Sequence, residues 1–479
     1  MSSTQTALAV LIFAGTYLLI CFQNIPRLRL DRPGAALVGA VLMVICGILT
    51  FDQAWQAIEA HTIVLLLGMM ILNVFLDLAG FFDLAAHFIL RLAGTPLRLL
   101  MGLCLVSGLL SALFLNDTVC LMLTPPLLVI LRRTELPPAP FLIALAMSAN
   151  VGSVMTITGN PQNMLIGQFG HISYLEFLAW QFPVGVVGMA AMILLLRWHY
   201  APAFRKRPLL TLGDGPLADS PHEVKYDKPL LIKSLAVLFL VLLGFVCSTN
   251  LALVAISGAG LLIIWSRIPT SAILAKVDWV LLLFFACLFI VVDGLEQTGV
   301  VKQIAAVTRD LHGPTLATQV PVFSLITAIA CNVVSNVPYV ILAQDIVPEF
   351  SEPRLMWLVL AMASTFAGNL TIPGSVATLI VLEAAKKEVT ISFFEFFVVG
   401  LKVVLVTVTL GALLLIGEQF LSKTFSPPRE KVAAQRTEEG AVQTSLIPSA
   451  HALPFSLLLH CSTAHLLSPA GRLLPAILC

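Results

Sequence analysis

Charged side chains are scarce in this sequence. Asp, Glu, Lys and Arg make up 11% of its 479 residues, while hydrophobic residues make up 58%. Soluble globular proteins carry about a quarter charged residues, so this chain cannot cover a water-facing surface of the usual kind. The composition therefore predicts an all-α polytopic membrane protein, because helices satisfy their own backbone hydrogen bonds in lipid.

The motifs of soluble enzymes are missing as well. The sequence has no GxxxxGK[ST] phosphate loop, no HExxH motif and no CxxC pair, and its nine cysteines and nine histidines are dispersed. A net charge of +1 gives no field that would attract nucleic acid. We expect no ATP-driven engine, no enzymatic activity, no cofactor and no nucleic-acid partner. Isolated cysteines in apolar runs are typical of small core residues.

Apolar runs of about 20 residues, the length of a membrane-spanning helix, recur along the chain. Arg27, Arg29 and Arg32 follow the first run. The positive-inside rule places that end in the cytoplasm and the N-terminus outside. Ten spans are predicted, at 6–23, 34–51, 61–79, 139–166, 182–199, 230–247, 249–266, 278–293, 355–382 and 397–417.

Two further apolar segments are each interrupted by a polar tip. The first has the tip Asn116-Asp117-Thr118 and arginines on both flanks, which predicts a re-entrant hairpin from the cytoplasmic side. The second has the tip Ser335-Asn336-Val337-Pro338 and an acidic exit flank, which favours entry from outside. Amphipathic segments at 81–94 and 300–313 precede the hairpins, and we expect both at the membrane interface. The flanking arginines are Arg91, Arg98, Arg132 and Arg133.

The two halves of the chain repeat each other. LDLAG matches LEQTG at an offset of 219, which also carries Asp117 onto Asn336. TITGNPQNMLI from Thr156 matches TIPGSVATLI from Thr371 at an offset of 215. Five crossings per half require the second half to be inserted upside down, and inverted repeats are typical of secondary transporters. The predicted organisation is a first repeat at 1–200, a cytoplasmic linker at 201–229, a second repeat at 230–420 and a disordered tail at 421–479.

The fourth span of each half contains residues that end a helix. Gly159-Asn160-Pro161 interrupts the first, and Gly368-Asn369 with Pro373-Gly374 interrupts the second. Proline removes a backbone donor and clashes with the preceding turn. The freed backbone groups are tolerated at membrane depth only where they line protein or a water-filled cavity. We therefore predict one mid-membrane site at which the two tips and the two breaks converge.

Asp117 is the strongest candidate for a functional residue in this site, because a carboxylate at membrane depth is costly and usually has a functional role. It could carry a coupling proton or, with Asn336, bind Na⁺; the alternative role is a helix cap. The amides and hydroxyls could instead be interhelical hydrogen bonds, and Asp77 and Glu296 suit interface or cap roles. The predicted substrate- and ion-binding residues are Asn116, Asp117, Thr118, Thr156, Thr158, Gly159, Asn160, Pro161, Asn163, Ser335, Asn336, Gly368, Asn369, Thr371, Gly374, Ser375 and Thr378.

Four stretches resemble the ion transporter superfamily, which groups divalent-anion/sodium symporters, citrate transporters, arsenite permeases and certain sodium/proton antiporters. They are LNDTVCLMLTP, ANVGSVMTITGNPQNMLIG, CNVVSNVPYV and AGNLTIPGSVATLIVLE, within a likeness that covers roughly residues 1–420. The chain is most similar to arsenite-permease-like bacterial anion transporters. The resemblance implies a homodimer and an elevator-type motion of the hairpins with the broken spans.

The tips depart from the pattern of the divalent-anion symporters, in which Ser-Asn-Thr at each tip binds carboxylate and helps to hold sodium. Asp117 replaces the first asparagine, and Val337 replaces the second threonine. An acid at the tip should repel a dianion unless it is protonated or paired with a metal. No Lys or Arg lies deep in either motif. This pattern favours proton coupling or cation exchange.

The sequence thus predicts a secondary active transporter of the bacterial inner membrane. It would move a small inorganic or organic anion, coupled to H⁺ or Na⁺, by elevator-type alternating access. A Na⁺/H⁺ antiporter, a metalloid oxyanion (arsenite-like) efflux permease and a non-transporting membrane scaffold or receptor stay open as alternatives. Its partners would be the anion, the coupling cation, the lipid bilayer and a second copy of the chain.

Overall fold

A computed structural model describes five stretches of the chain, in which every regular element is helical. The all-α prediction is therefore confirmed. The helices up to Leu421 form one compact unit, and a second unit begins at Ser422. Most of the predicted linker, most of the predicted tail and the amphipathic segment before the second hairpin lie outside the described residues. The described stretches are 3–21, 31–92, 94–204, 226–300 and 313–425.

The described part of the first half contains ten α-helices. Asp31, Thr95 and Asn160 each accept a hydrogen bond from the backbone of the helix that they precede, and a proline occupies the first turn of each of these helices. Both features are standard helix starts. The helices are α1 (Ser3–Cys21), α2 (Arg32–Ile45), α3 (Phe51–Gln56), α4 (Ala60–Leu78), α5 (Phe81–Leu92), α6 (Pro96–Leu113), α7 (Asn116–Arg133), α8 (Pro138–Ser153), α9 (Pro161–Phe169) and α10 (Tyr174–Phe204).

The described part of the second half repeats this order, with the tips and breaks where the sequence predicts them. The first tip separates α6 from α7, and the first break separates α8 from α9 with a 3₁₀ turn between them. The second-half helices are α11 (Lys228–Cys247), α12 (Leu251–Ser266), α13 (Thr270–Leu274), α14 (Trp279–Glu296), α15 (Leu316–Val334), α16 (Asn336–Ala343), α17 (Pro353–Ala367), α18 (Val376–Ala385) and α19 (Phe393–Phe425).

Eight described helices are long and apolar enough to cross a membrane. Six belong to predicted spans, and two, α6 and α15, are the first arms of the hairpins. The other four predicted spans are built from shorter helices: α2 and α12, each followed by a helix of one or two turns, and the broken pairs α8–α9 and α17–α18. Helix α10 extends beyond its predicted span and continues through Pro183. Membrane helices tolerate an internal proline of this kind.

Equivalent helices of the two halves exchange partners and run in opposite directions. Helix α2 packs on α14, and α12 packs on α4. Met43 and Gly294 meet near the C-terminal ends of α2 and α14, so these two helices are parallel. Asp77, near the end of α4, is paired with Lys276, just before α14 begins. The helices of the third span in each half, α4 and α14, are therefore antiparallel, as an inverted repeat requires.

This arrangement defines one end of the helical bundle. The start of α2 at Arg32, the end of α4 and the start of α14 all lie there. The backbone N–H of Asp227, just before α11, donates to the carbonyl of Ala79 at 3.2 Å and adds the start of α11 to the same end. We call it the basic end, because Arg27 and Arg29 precede α2 in the sequence and Arg32 begins it. The positive-inside rule predicts that it faces the cytoplasm.

Helix α5 packs along the first hairpin. Its buried residues Phe82, Ala86 and Ile89 lie on the face that meets α6 and α7. The rings of Phe81 and Phe82 contact Phe114 beside the hairpin turn, with centroid distances of 5.8 and 6.1 Å. The apolar face predicted from the sequence lies beside this buried face, and its Phe88 is exposed. An amphipathic pattern identifies such a face without saying what covers it.

Candidate functional site

The polar ends of four interrupted elements meet inside the protein. These are the starts of α7 and α16 at the two hairpin tips and the starts of α9 and α18 after the two breaks. They enclose a cavity of about 30 Å³, which we call the junction cavity. Side chains of α14 close it on one side. Its lining is Asn116, Asp117, Pro161, Gln162, Leu281, Phe284, Phe285, Ser335, Asn336, Val337, Ser375 and Val376.

Asn150, on α8, ties three of the surrounding segments together. Its Oδ1 accepts hydrogen bonds from Asn116 Nδ2 and Ser375 Oγ, both at 3.0 Å. Its Nδ2 donates to Asn369 Oδ1, also at 3.0 Å. The side chain is buried, so these bonds fix the first tip and the second break relative to each other. Asn150 is not among the residues predicted from the sequence, although the offset of 219 carries it onto Asn369.

Two buried oxygens of predicted site residues lack a hydrogen-bond partner within the described residues. They are Asn116 Oδ1, at the junction cavity, and Thr378 Oγ1, in the first turn of α18. A buried acceptor or hydroxyl without a partner costs about 1–3 kcal/mol. A ligand that donates hydrogen bonds at Asn116 would remove this cost.

Asn336 reaches across to the second break. The amide atom that faces the carbonyls of Gly374 and Ser364 lies 3.1 and 3.3 Å from them, which fits a nitrogen that donates to both. Gly374 is required here by close approach, because a Cβ would lie 2.5 Å from Asn332 Oδ1. Thr371 Oγ1 donates to the same Asn332 oxygen at 2.7 Å. Asn332, which the sequence analysis misses, thus holds the second break.

The polar residues of the first break mainly satisfy one another. Asn160 Oδ1 accepts from the N–H of Asn163 at 2.8 Å, and its Nδ2 donates to Ser153 Oγ and Thr365 Oγ1 at 2.9 and 3.2 Å. Asn163 Nδ2 donates to the carbonyls of Ser153 and Thr156, both at 3.0 Å. These amides brace the broken helix and link it to α17. They act as the interhelical bonds that the sequence analysis keeps open as their alternative role.

The predicted residues therefore divide into two groups. Six line the junction cavity: Asn116, Asp117, Pro161, Ser335, Asn336 and Ser375. The others do not line it: Thr118, Thr156, Thr158, Gly159, Asn160, Asn163, Gly368, Asn369, Thr371, Gly374 and Thr378. The described residues contain no cluster of three His, Cys, Asp or Glu side chains that could hold a metal, and a Na⁺ site at Asp117 and Asn336 stays a prediction.

Asp117 faces two cavities. Besides the junction cavity, it lines a larger cavity of about 240 Å³, which we call the vestibule. The side chain is half-buried and lies in the first turn of α7, where the helix dipole favours a negative charge. The residue before α7 is Leu115, and no side chain caps this helix. Asp117 thus lies between the junction cavity and the vestibule.

Lys276 brings a positive charge to the vestibule. Its Nζ lies 2.8 Å from Asp77 Oδ2, and both residues line the vestibule together with Asp117 and Asp278. Asp77 is an interface residue, as expected, and Glu296 likewise pairs with Gln344. Neither the tip motifs nor the break motifs could indicate Lys276, because it lies in the turn between α13 and α14, far from all of them in sequence.

Contacts from the first two spans reach the junction near the basic end. Tyr17, near the end of α1, donates its hydroxyl to the Pro338 carbonyl at 3.2 Å. Arg32 Nη2, at the start of α2, donates to the Pro373 carbonyl at 3.0 Å. The second tip and the second break therefore lie level with the basic ends of α1 and α2.

Sequence comparison assigns the family. A profile of the citrate transporter family, CitMHS, matches residues 17–367. The chain belongs to this family. The predicted likeness to the ion transporter superfamily is thereby confirmed, and the protein is an integral multi-pass membrane transporter, not an enzyme.

Relatives of this CitMHS chain agree with that assignment. An uncharacterized transporter of Mycobacterium tuberculosis is 34% identical over 432 residues, which cover 86% of this chain and 98% of the relative. The silicon efflux transporter of Oryza sativa subsp. japonica is 30% identical over 476 residues, which cover 86% and 97%. The crystal structure of the YdaH transporter of Alcanivorax borkumensis shares the fold, with a TM-score of 0.55 at 16% identity, over 87% of this chain and 98% of that one.

Proposed function

We propose that this CitMHS protein exports a small, uncharged, polyhydroxylated acid, of the kind represented by silicic or arsenous acid, in exchange for protons. The observation that carries the proposal is the junction cavity, a small space whose lining is half apolar and whose polar side chains are amides, hydroxyls and a single carboxylate. Among the sequence-based alternatives it corresponds to the metalloid efflux permease, with the ligand in its neutral form.

The size of the junction cavity supports a small ligand. One water needs about 10–15 Å³ of such volume, so about 30 Å³ holds a pair of waters or the hydroxyls of one small oxyacid. Citrate, a much larger tricarboxylate, fits this space less well than a small oxyacid does. The family name therefore gives no reason to propose citrate as the substrate.

The charge of the lining supports an uncharged ligand. None of the described residues that line the junction cavity is Lys or Arg, and one, Asp117, is an acid. A carboxylate repels an anion in a low-dielectric site, whereas a neutral hydroxyl can donate to the oxygens of Asp117 and Asn116. The unpaired Asn116 Oδ1 is an acceptor of this kind.

Asp117 supplies the coupling group in this proposal. With a ligand bound, the carboxylate accepts a hydrogen bond from a ligand hydroxyl and stays ionised. Without a ligand, the empty site crosses with the carboxyl protonated, because an unpaired charge is costly to move through a membrane interior. One proton then enters for each neutral molecule that leaves. Silicon efflux by the rice relative supports the direction and the class of substrate.

Na⁺ is the second candidate for the coupling ion. The carbonyl oxygens of Gly374 and Ser364 converge beside the side chain of Asn336. A cation bound between them could also take the Asn336 amide oxygen as a ligand. Oxygen ligands of this kind suit hard cations. The mycobacterial relative supports a location in a bacterial cytoplasmic membrane, with the basic end inside. The homodimer stays a prediction from the family resemblance.

Ligand-dependent thermal stability of the purified protein tests this proposal. Silicic and arsenous acids should raise the melting temperature, and a ligand at a hundredfold excess over its Kd adds about 2.7 kcal/mol to the stability. Citrate and phosphate should have no effect. Asn336→Ala and Ser375→Ala should each abolish the response, while the control Ser271→Ala, on exposed α13, should keep it. Stabilisation by citrate or phosphate alone would refute the uncharged ligand, and a response to Na⁺ alone would point to a Na⁺/H⁺ antiporter.

A further inference from the structure

The vestibule holds an unbalanced set of charges. Asp77 of α4, Asp117 of α7 and Asp278 before α14 line it with one cation, Lys276. Acids therefore outnumber the ammonium by three to one. The other described lining residues are uncharged, including Pro161 of α9 and Ile380 of α18. Full ionisation of all three acids would leave a net negative cavity within the protein.

Lys276 and its neighbours are fixed to the α13–α14 turn. The backbone N–H of Lys276 donates to the carbonyl of Ile273 at 3.0 Å. Asp278 Oδ1 accepts from the N–H of Leu281 at 3.0 Å and caps α14. The Asp278 carboxylate is thus committed to a helix start, whereas the ammonium of Lys276 is paired with Asp77. Its side chain is 47% exposed, which leaves it free to move within the vestibule.

The two possible partners of Lys276 belong to different parts of the molecule. Asp77 lies on α4, which packs with α11, α12 and α14. Asp117 lies on the hairpin tip, which packs with α5, α8 and α18. The tip also packs directly on α4, and the side-chain hydrogen bond between them, from Asn73 Nδ2 to Thr118 Oγ1, is long at 3.3 Å. An ion pair between Lys276 and Asp117 would therefore exist only while the tip lies at the basic end.

We propose that Lys276 is a positioning residue for the coupling proton, and this inference rests on the proposed role of Asp117. At the basic end, Lys276 leaves Asp77 and pairs with Asp117, so that Asp117 loses its proton to the vestibule. When the tip moves away, Asp117 loses this partner and must be protonated or bound to a ligand hydroxyl. Lys276 thereby ties proton release to one side of the membrane. It supplies from α13–α14 the positive charge that the tip and break motifs lack.

Infrared difference spectroscopy of the lipid-reconstituted protein tests this role without any substrate. The band of a protonated carboxyl that titrates with pH is assigned to Asp117 by its loss in Asp117→Asn. In Lys276→Gln the midpoint of that band should move to higher pH by about one unit, because removal of a nearby cation disfavours the carboxylate. Lys276→Arg should restore the wild-type midpoint.

A second variant should move the same midpoint in the opposite direction. Asp77→Asn removes both a negative charge and the competing partner of Lys276, so the Asp117 band should titrate at lower pH. Lys386→Gln is the matched control, because Lys386 pairs only with Glu383 on an exposed face among the contacts found. It should leave the midpoint unchanged. A merely structural role of Lys276 would not produce shifts of opposite sign.

The outcomes separate the two proposals. If the band titrates in the wild type and its midpoint is the same in Lys276→Gln and Asp77→Asn, the role of Lys276 is refuted and that of Asp117 stands. If no titrating band disappears in Asp117→Asn, the proton-coupling role of Asp117 fails, and the role of Lys276 fails with it.

Discussion

The side chain of Asn150 bonds to Asn116, Ser375 and Asn369, which lie in three different segments of the chain. Asn150 and Asn369 are related by the offset of 219 that also relates the two hairpin tips. Four residues are lost between Asn150 and Thr156 in the second half, where Asn369 and Thr371 are almost adjacent. Asn150 and Asn369 therefore lie where the two repeats meet. For this reason the Asn150 amide can form hydrogen bonds with residues of both halves.

Asn150→Ala should weaken ligand binding strongly. It leaves the Asn116 amide, the Ser375 hydroxyl and the Asn369 oxygen without their partner, and each buried orphan costs about 1–3 kcal/mol. We expect ligand affinity to fall by at least about tenfold, measured by calorimetry on purified protein. Asn250→Ala, which removes the cap of α12, is the control and should lower stability with no change in affinity. Unchanged affinity in Asn150→Ala would show that the first tip is positioned by other contacts.

At the residue scale, the sequence predicts positions that share a motif and misses those that act across the fold. Asn116, Asp117, Asn336 and Ser375 belong to repeated motifs, and the repeat identifies them. Lys276 follows a short helix in an ordinary turn, and nothing in its surroundings distinguishes it from a surface lysine. Its position opposite Asp117 depends on how α4 and α14 pack, which periodicity does not specify.

Helix α6 lies closely against α8, and this contact holds the first hairpin to the first broken span. A Cβ on Gly152 would lie 2.1 Å from the Gly108 carbonyl oxygen and 2.4 Å from Gly108 Cα. The hydroxyls of Ser107 and Ser148 meet nearby at 2.5 Å. Small residues at a membrane helix interface allow this approach of two backbones. The close contact of α6 with α8 therefore holds the first tip and the first break together.

Gly152→Ala should destabilise the protein. The added methyl meets backbone atoms that cannot rotate away, and overpacking of this kind costs about 1–3 kcal/mol. We expect a lower melting temperature in detergent and a faster loss of ligand binding on heating. Gly260→Ala on α12 is the matched control, because its Cβ would meet nothing within 4 Å. That variant should be neutral or up to about 1 kcal/mol more stable, and equal effects of the two variants would contradict the close-packing account.

At the element scale, the helix breakers and polar tips predict where helices stop, and the structure confirms both hairpin tips and both breaks. The ends of α10 and α19 are less predictable from the sequence. The internal proline of α10 resembles a helix boundary in the sequence, and the polar residues at the ends of both helices resemble loop residues. A helix continues past such residues because neighbouring helices satisfy the backbone groups that these residues leave without a partner. This is a tertiary effect.

Across the whole molecule, the inverted halves place one polar junction between two sets of helices. The junction contacts α1 and α2 at their basic ends, through Tyr17 and Arg32, and the vestibule opens beside Asp77 and Lys276 at the same end. Inverted repeats allow the mirror arrangement, in which the junction lies at the opposite end. Elevator-type movement between these arrangements is the motion that we propose for transport.

Proton movement coupled to ligand movement tests the central claim most directly. In proteoliposomes loaded with silicic or arsenous acid, the wild-type protein should carry protons inward as the acid leaves, measured with a trapped pH dye at clamped membrane potential. Asp117→Asn should still exchange the acid between the two sides but should move no protons. Proton fluxes of equal size in Asp117→Asn and the wild type, or acid export that requires Na⁺ and moves no protons in the wild type, would contradict the account.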